Sequence, residues 1–259
     1  MQPVTDSSWE AGMVPADASG ANPSWRGVEQ LESRYRSFPG LNLSLEVLEG
    51  QRHRADKDRG GPHPNLEVQI VDAADSIAYD AHDADDALEL GLLQLPELIE
   101  VPLWSEAAAR VTPELSDSTP LDLRRAVVHE LIDWQVGDLL TQTRQRLAEQ
   151  TIDSVAAVRA QRFRIAPSDG IQQRKSALET FLYERVYRHP TVVEKRIVFQ
   201  ESLRQMFLGY REHANWLPDR FRQLCETDGI SRTVADYLAG MTDRFAMQEY
   251  QRLFSSRTS

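Results

Sequence analysis

The stretch LEVQIVDAADSIAYDAHDADDALE, residues 66 to 89, constrains the fold of this chain more than any other. Leu66, Ile70, Ala73, Ile77, Ala81, Ala84 and Leu88 recur at steps of three and four. On a helix that spacing makes one apolar stripe, which has to pack against neighbouring helices. Asp75, Tyr79 and Asp83 follow one another at intervals of four on the other side, so their side chains stack along a single face. Asp72 and Asp86 fall with them. No lysine or arginine occurs between Arg59 and Arg110, against eleven carboxylates in that interval. Nothing local in sequence neutralises the acidic face, which leaves water or a metal ion to do so. The stripe therefore reads in two ways. It is a solvated polar face, or, because a tyrosine between two aspartates offers an aromatic surface beside acceptors, a face for a sugar or nucleoside close to a metal.

The rest of the chain has the same period and almost no strand-like alternation, so the expected fold is all-α, a multi-helix bundle. Residues 1 to 23 are rich in Pro, Gly, Ser, Ala and Asp without any period and read as a disordered arm. Residues 24 to 254 form the folded part, and 255 to 259 a short tail. Val28, Leu31 and Tyr35 fit a first helix ending before Phe38-Pro39-Gly40, and residues 51 to 65 read as an exposed connection. A helix over 66 to 93 follows, then a proline-punctuated segment at 95 to 104 that is a helical turn or an extended stretch. Thr119, Pro120 and Asp122 mark a strong helix start, predicting a helix to about Glu149 with little of its circumference wetted. Further helices are expected over 174 to 188, over 192 to 213, in a short piece before Gly229, and as one last helix from Arg232 to Phe254.

Composition narrows the function classes. A net charge of -11 excludes a general binder of nucleic acid or anionic membrane. Cys225 is the only cysteine, so there is no internal disulfide framework, and a reducing cytoplasm is the natural compartment. No apolar run reaches the length of a membrane span, and no signal-peptide pattern opens the sequence. Glycine-rich phosphate loops, nucleophile elbows and zinc-spaced cysteines are absent.

The run from Asp75 to Asp86 resembles the segment of the HD-domain dNTP triphosphohydrolases, the bacterial dGTPases and their relatives, that carries the last metal-binding aspartate. GLNLSLEVLEG at 40 to 50, RRAVVHELIDWQVGDLL at 124 to 140 and DYLAGMTDRFAMQEYQRLF at 236 to 254 resemble the same family in the same order. The resemblance implies an HD-domain-like helical bundle. It also implies metal-dependent hydrolysis of a dNTP, such as dGTP, to deoxynucleoside and inorganic triphosphate, with Mg²⁺, Mn²⁺ or a similar divalent ion. It assigns Asp75 to the metal, Tyr79 to the deoxyribose and Asp83 to its 3′-hydroxyl. Arg124 goes to phosphate, favoured over Arg125 because that register also aligns Val136-Gly137.

Members of that family hold the ion with a histidine and a His-Asp pair upstream of the GLNL segment as well as the later aspartate. The six histidines here, His53, His63, His82, His129, His189 and His213, all come after that point. His82-Asp83 is an HD dipeptide in the wrong context, and His82 reads as a solvated helix residue. By resemblance the chain is expected to be the C-terminal portion of such a domain, truncated at its N-terminus, with an incomplete metal site and its catalytic residues unassigned. Two expectations follow. One is a triphosphohydrolase completed by a homo-oligomer or by a partner supplying the missing half. The other is an inactive helical remnant or interaction subunit.

Overall fold

The computed structural model describes residues 26–32, 34–35, 37–38, 40–55, 63–112 and 119–254. The expected disordered arm and the C-terminal tail lie outside the described residues. Among them there is no strand, an isolated bridge joins Tyr35 and Phe38, and the fold is all-α. In chain order the helices are α1 (Leu45–Ala55), α2 (Leu66–Glu89), α3 (Leu95–Ile99), α4 (Pro102–Val111), α5 (Pro120–Glu149), α6 (Val155–Ala160), α7 (Asp169–Leu182), α8 (Pro190–Glu212), α9 (Asp219–Asp228), α10 (Ile230–Ala239) and α11 (Asp243–Phe254). Short turns of π-helix occur at Gly27–Leu31 and Tyr183–Tyr187. The chain divides into two compact units, residues 60–193 and a second made of residues 1–59 with 194–259.

The unit of residues 60–193 is built on α2, α4, α5 and α7, which pack against one another. Its core joins Ala81, Ala84 and Ala87 of α2 to Trp104 of α4, Leu131 of α5 and Leu178 and Leu182 of α7. Three small alanines at steps of three let α2 approach its neighbours closely, while Trp104 fills the centre with no exposure. The helix starts are capped as the sequence requires. Asn65 accepts from the Val68 amide at 3.0 Å, and Thr119 accepts from the Asp122 amide at 3.2 Å with Pro120 in the first turn. The segment before α7 is pinned by side chains. Gln69 donates to the Phe163 carbonyl at 3.0 Å and accepts from the Ile165 amide at 2.8 Å, and Asp138 accepts from the Ser168 amide at 2.7 Å.

The second unit has its own core of Met206, Phe207, Tyr210, Leu217, Val234 and Leu253. The Tyr210 hydroxyl donates to Glu249 at 2.6 Å, and Arg252 grips the same carboxylate with two N–H groups at 2.6 and 2.8 Å. Arg26 pairs with Asp228 and donates to Asp236 at 3.1 Å, tying the start of the unit to α9 and α10. Gly40 has φ +71°, and a Cβ there would sit 2.3 Å from the Glu29 carbonyl oxygen, so only glycine fits where the chain folds back on the first turn.

Several sequence expectations are corrected. The helical turn near the start covers only Gly27–Leu31, with Tyr35 exposed. Residues 51 to 55 continue α1 instead of beginning a loop. Of the two readings left open for 95 to 104, the helical one holds, in two pieces divided by the Val101-Pro102 step. The long helix at 66 ends at Glu89, because Gly91 takes φ +69°. The expected last helix is two, interrupted at Gly240 to Thr242, where the Thr242 hydroxyl accepts from the Phe245 amide at 3.3 Å and starts α11. Helix α5 buries one stripe, Val127, Val128, Leu131, Gln135 and Leu139, and is wetted on the remainder toward its C-terminus. Ile70, expected on the apolar stripe of the helix at 66, is exposed, as are Ile197 of α8 and Phe245 of α11.

Candidate functional site

Helix α2 carries the candidate residues, and its geometry decides what they can meet. At about 100° per residue, Asp75, Tyr79 and Asp83 span one quadrant of the helix, drifting toward one flank as the chain advances. Ile77, Ala81 and Ala84 are buried on the far side. Asp75 and Tyr79 are exposed, and Asp83 is half-buried. His82 is exposed as expected.

The flank reached by Asp83 is met by the end of the π-helical turn after α7. There the Tyr187 hydroxyl donates to Asp83 Oδ2. The Tyr79 and Tyr187 rings lie with centroids 6.3 Å apart at 37°, so two phenols and one carboxylate form a single polar group at the surface of the unit. Burial pushes the Tyr187 phenol up, and the hydrogen bond it gives to Asp83 and its contact with Tyr79 push it further. The hydroxyl is therefore a donor at any physiological pH. Burial also raises the Tyr79 phenol; the neighbouring Tyr187 hydroxyl opposes that shift and the Asp83 charge adds to it.

Arg124 meets α2 elsewhere. Its Nε lies 2.7 Å from Asp85 Oδ1 and its Nη2 donates to Glu89 at 3.2 Å. The closer contact is an ion pair without an aligned N–H, since neither atom completes a hydrogen bond. Asp85 is two residues beyond Asp83, about 200° round the helix, so Arg124 approaches the flank opposite Tyr187. Tyr79 and Asp83 are brought together; Arg124 stands on the other flank of α2, opposite Asp83. Arg125, the other candidate of the pair, is exposed.

Other carboxylates of the same interval, off the face of Asp75, Tyr79 and Asp83, are paired by cations from elsewhere in the unit. Asp80 is buried, and Lys175 of α7 pairs with it while also donating to Glu179 at 2.7 Å. Burial pushes the Asp80 carboxyl up to about 6, against the opposing pull of Lys175. Arg124 serves Asp85 and Glu89, and Arg185 serves Glu97. Sequence reasoning missed Asp80, Lys175 and Tyr187. Asp80 left a signal, since it lies three residues after Ile77 and four before Ala84 and so falls on the apolar side, where a carboxylate demands a partner. Nothing in the local sequence marks Tyr187, which reaches Asp83 across 104 positions.

Among the described residues, no group of three or more His, Cys, Asp or Glu side chains is placed to hold a metal ion. All six histidines are described residues. A divalent ion needs several ligands pre-set in geometry, and Asp75 alone does not supply that. The described residues do not make a metal site. Among them, no helix is long and apolar enough to cross a membrane.

Residues 165–252 match the phosphohydrolase-associated domain. Over 244 residues the chain is 38% identical to a deoxyguanosinetriphosphate triphosphohydrolase-like protein of Geobacter metallireducens, covering 89% of this chain and 63% of that protein. A protein of the same name from Deinococcus deserti is 38% identical over 227 residues, 87% of this chain and 59% of that one. Another from an Azoarcus species is 35% identical over 244 residues, 90% of this chain and 64% of that one. The chain thus spans just under two thirds of the length of these curated relatives. On that shared sequence, with an all-α fold and the phosphohydrolase-associated domain, the chain belongs to the deoxyguanosinetriphosphate triphosphohydrolase-like family.

Proposed function

We propose that the protein serves hydrolysis of a deoxynucleoside triphosphate, dGTP among the candidates, in which water attacks the α-phosphorus and a deoxynucleoside and inorganic triphosphate leave. The share of this chain is recognition. Tyr79 packs on the deoxyribose, Asp83 accepts from its 3′-hydroxyl, and Arg124 holds phosphate charge with a planar fork of donors. The observation that carries the reading is the exposed Tyr79 beside an Asp83 carboxylate already held by a hydroxyl donor. A helix with its side chains is about 10–12 Å across, a distance that a nucleoside with an extended triphosphate can bridge, so one ligand lying over α2 reaches both flanks. Phosphate at Arg124 would take the place of a pairing to Asp85 and Glu89 that is partly open to water.

A divalent ion belongs to the same proposal. With Asp75 as the one carboxylate assigned to it, its other ligands come from outside the described residues, from a second copy of this chain or from another polypeptide. A cytoplasmic setting, consistent with a lone free cysteine, is likewise part of the proposal. The second reading is a non-catalytic interaction subunit that keeps the fold, favoured by the absence of a metal cluster among the described residues.

Calorimetric titration of the 259-residue chain with dGTP and with deoxyguanosine separates the parts. Arg124→Ala is expected to weaken dGTP binding roughly tenfold or more and to leave deoxyguanosine unchanged, while Asp83→Ala weakens both. Wild-type protein that binds neither ligand would remove the nucleotide reading and leave the interaction subunit.

A further inference from the structure

We propose that the outward face of α8 is a self-complementary seam on which a second copy of this chain docks, the two helices running antiparallel. The seam belongs to the unit of residues 1–59 with 194–259, whereas the nucleotide face of α2 belongs to the other unit.

Where α8 packs into its unit it does so through one side, burying Ser202, Met206, Phe207 and Tyr210. At about 100° per residue, the opposite side is a ridge of Glu194, Ile197, Glu201, Arg204, Leu208 and Arg211, all exposed. These follow one another at alternating steps of three and four, the spacing by which one helix meets another along its length. Their order reads acid, apolar, acid, base, apolar, base. Turned end for end, it becomes base, apolar, base, acid, apolar, acid, which is its own charge complement. Two copies related by a two-fold axis passing between Ser202 and Leu203 therefore set Glu194 against Arg211, Ile197 against Leu208 and Glu201 against Arg204, each contact made twice. Laid parallel and in register, the same ridges would oppose Glu to Glu and Arg to Arg, so the charges select the antiparallel arrangement.

Single exposed apolar residues are ordinary on a protein surface. Here Ile197 and Leu208, 58% and 46% exposed, fall on the same ridge, and Val198 beside Ile197 is 55% exposed. Within one copy Glu201 and Arg204 hold each other loosely, at 3.6 Å with both side chains open to water, so the charges of a second copy can compete for them. The seam covers about 26 Å of helix, short enough that association is weak and depends on concentration.

The test follows the mass of the full 259-residue chain by sedimentation equilibrium over a range of protein concentrations, with helical content read by circular dichroism. Wild type is expected to pass from monomer to dimer, and to need a higher concentration when salt is raised. Glu201→Arg turns two attractive pairs into repulsive ones and should weaken dimerisation by roughly tenfold or more. Adding Arg204→Glu to the same chain restores the complement across an antiparallel seam and should restore the dimer; across a parallel seam it would not. Lys195→Glu, an exposed charge off the ridge, should behave as wild type. Wild type that stays monomeric at every concentration overturns the proposal. So does a dimer unaffected by Glu201→Arg, which would place the interface elsewhere, or a loss that the added Arg204→Glu does not repair. An equal loss in Lys195→Glu also overturns it, since overall charge would then govern association.

Discussion

Asp80 shows how much a single side chain can hide in a sequence. It sits among aspartates that are polar by position, yet it is buried and paired with Lys175 of α7. Its carboxyl is pushed up to about 6, while an aspartate in an unfolded chain titrates near 4. The folded protein therefore binds this proton more tightly than the unfolded chain. The associated stabilisation is complete below about pH 4, falls as pH rises, and is gone once pH passes about 6. Asp80→Asn is expected to flatten that part of the profile in chemical denaturation, and an unchanged slope would show that other groups set it. Asp75 and Asp72 make a second comparison. If the Asp75 side chain serves the metal, then in protein completed with the missing ligands Asp75→Ala should abolish triphosphate release while Asp72→Ala leaves it. Equal loss in both would mean that only general acidity of the face matters. The stacking of Asp75, Tyr79 and Asp83 was legible from spacing alone. Tyr187 was not, because the contact joins residues whose separation leaves no trace in a local pattern.

At the scale of elements, starts were more legible than ends. Thr119, Pro120 and Asp122 announce α5 to the residue, because capping chemistry is local. Thr119→Ala is expected to cost about 1 kcal/mol, read as a shift in the denaturation midpoint without a change of slope. The ends depended on backbone conformation that the pattern did not state. Helix α2 stops four residues short of expectation where Gly91 turns left-handed, and α10 and α11 separate at a Gly-Met-Thr step inside an otherwise continuous apolar period. Gly40 gives the sharpest test of such a conformation. Gly40→Ala forces a Cβ onto the Glu29 carbonyl in a left-handed backbone, and a loss of about 1–2 kcal/mol or more is expected. A neutral substitution there would mean that the turn is not formed in solution.

At the scale of the whole molecule, the helical class followed from periodicity, but the division into residues 60–193 and a unit drawing on both ends of the chain did not, since the returning segment is marked by no composition change. Each unit closes its own core, one around Trp104, Leu131 and Leu178, the other around Met206, Tyr210 and Val234. The residues proposed for recognition, Tyr79, Asp83 and Arg124, all stand on the first of these. Leu131→Ala, at a site with no exposure, is expected to cost about 2–5 kcal/mol in denaturant titration; a much smaller loss would place it outside the packed centre. The central claim is the proposal that this chain contributes nucleotide-contacting residues while its described residues make no complete metal site. The measurement that tests it most directly combines dGTP binding, metal content and release of inorganic triphosphate. All three are read on the purified 259-residue chain in Mn²⁺ or Mg²⁺, with Asp75→Ala alongside. The account predicts binding of dGTP, no stoichiometric metal and no triphosphate release. Stoichiometric metal with turnover that disappears in Asp75→Ala would contradict it, by showing that the chain assembles the whole catalytic site itself.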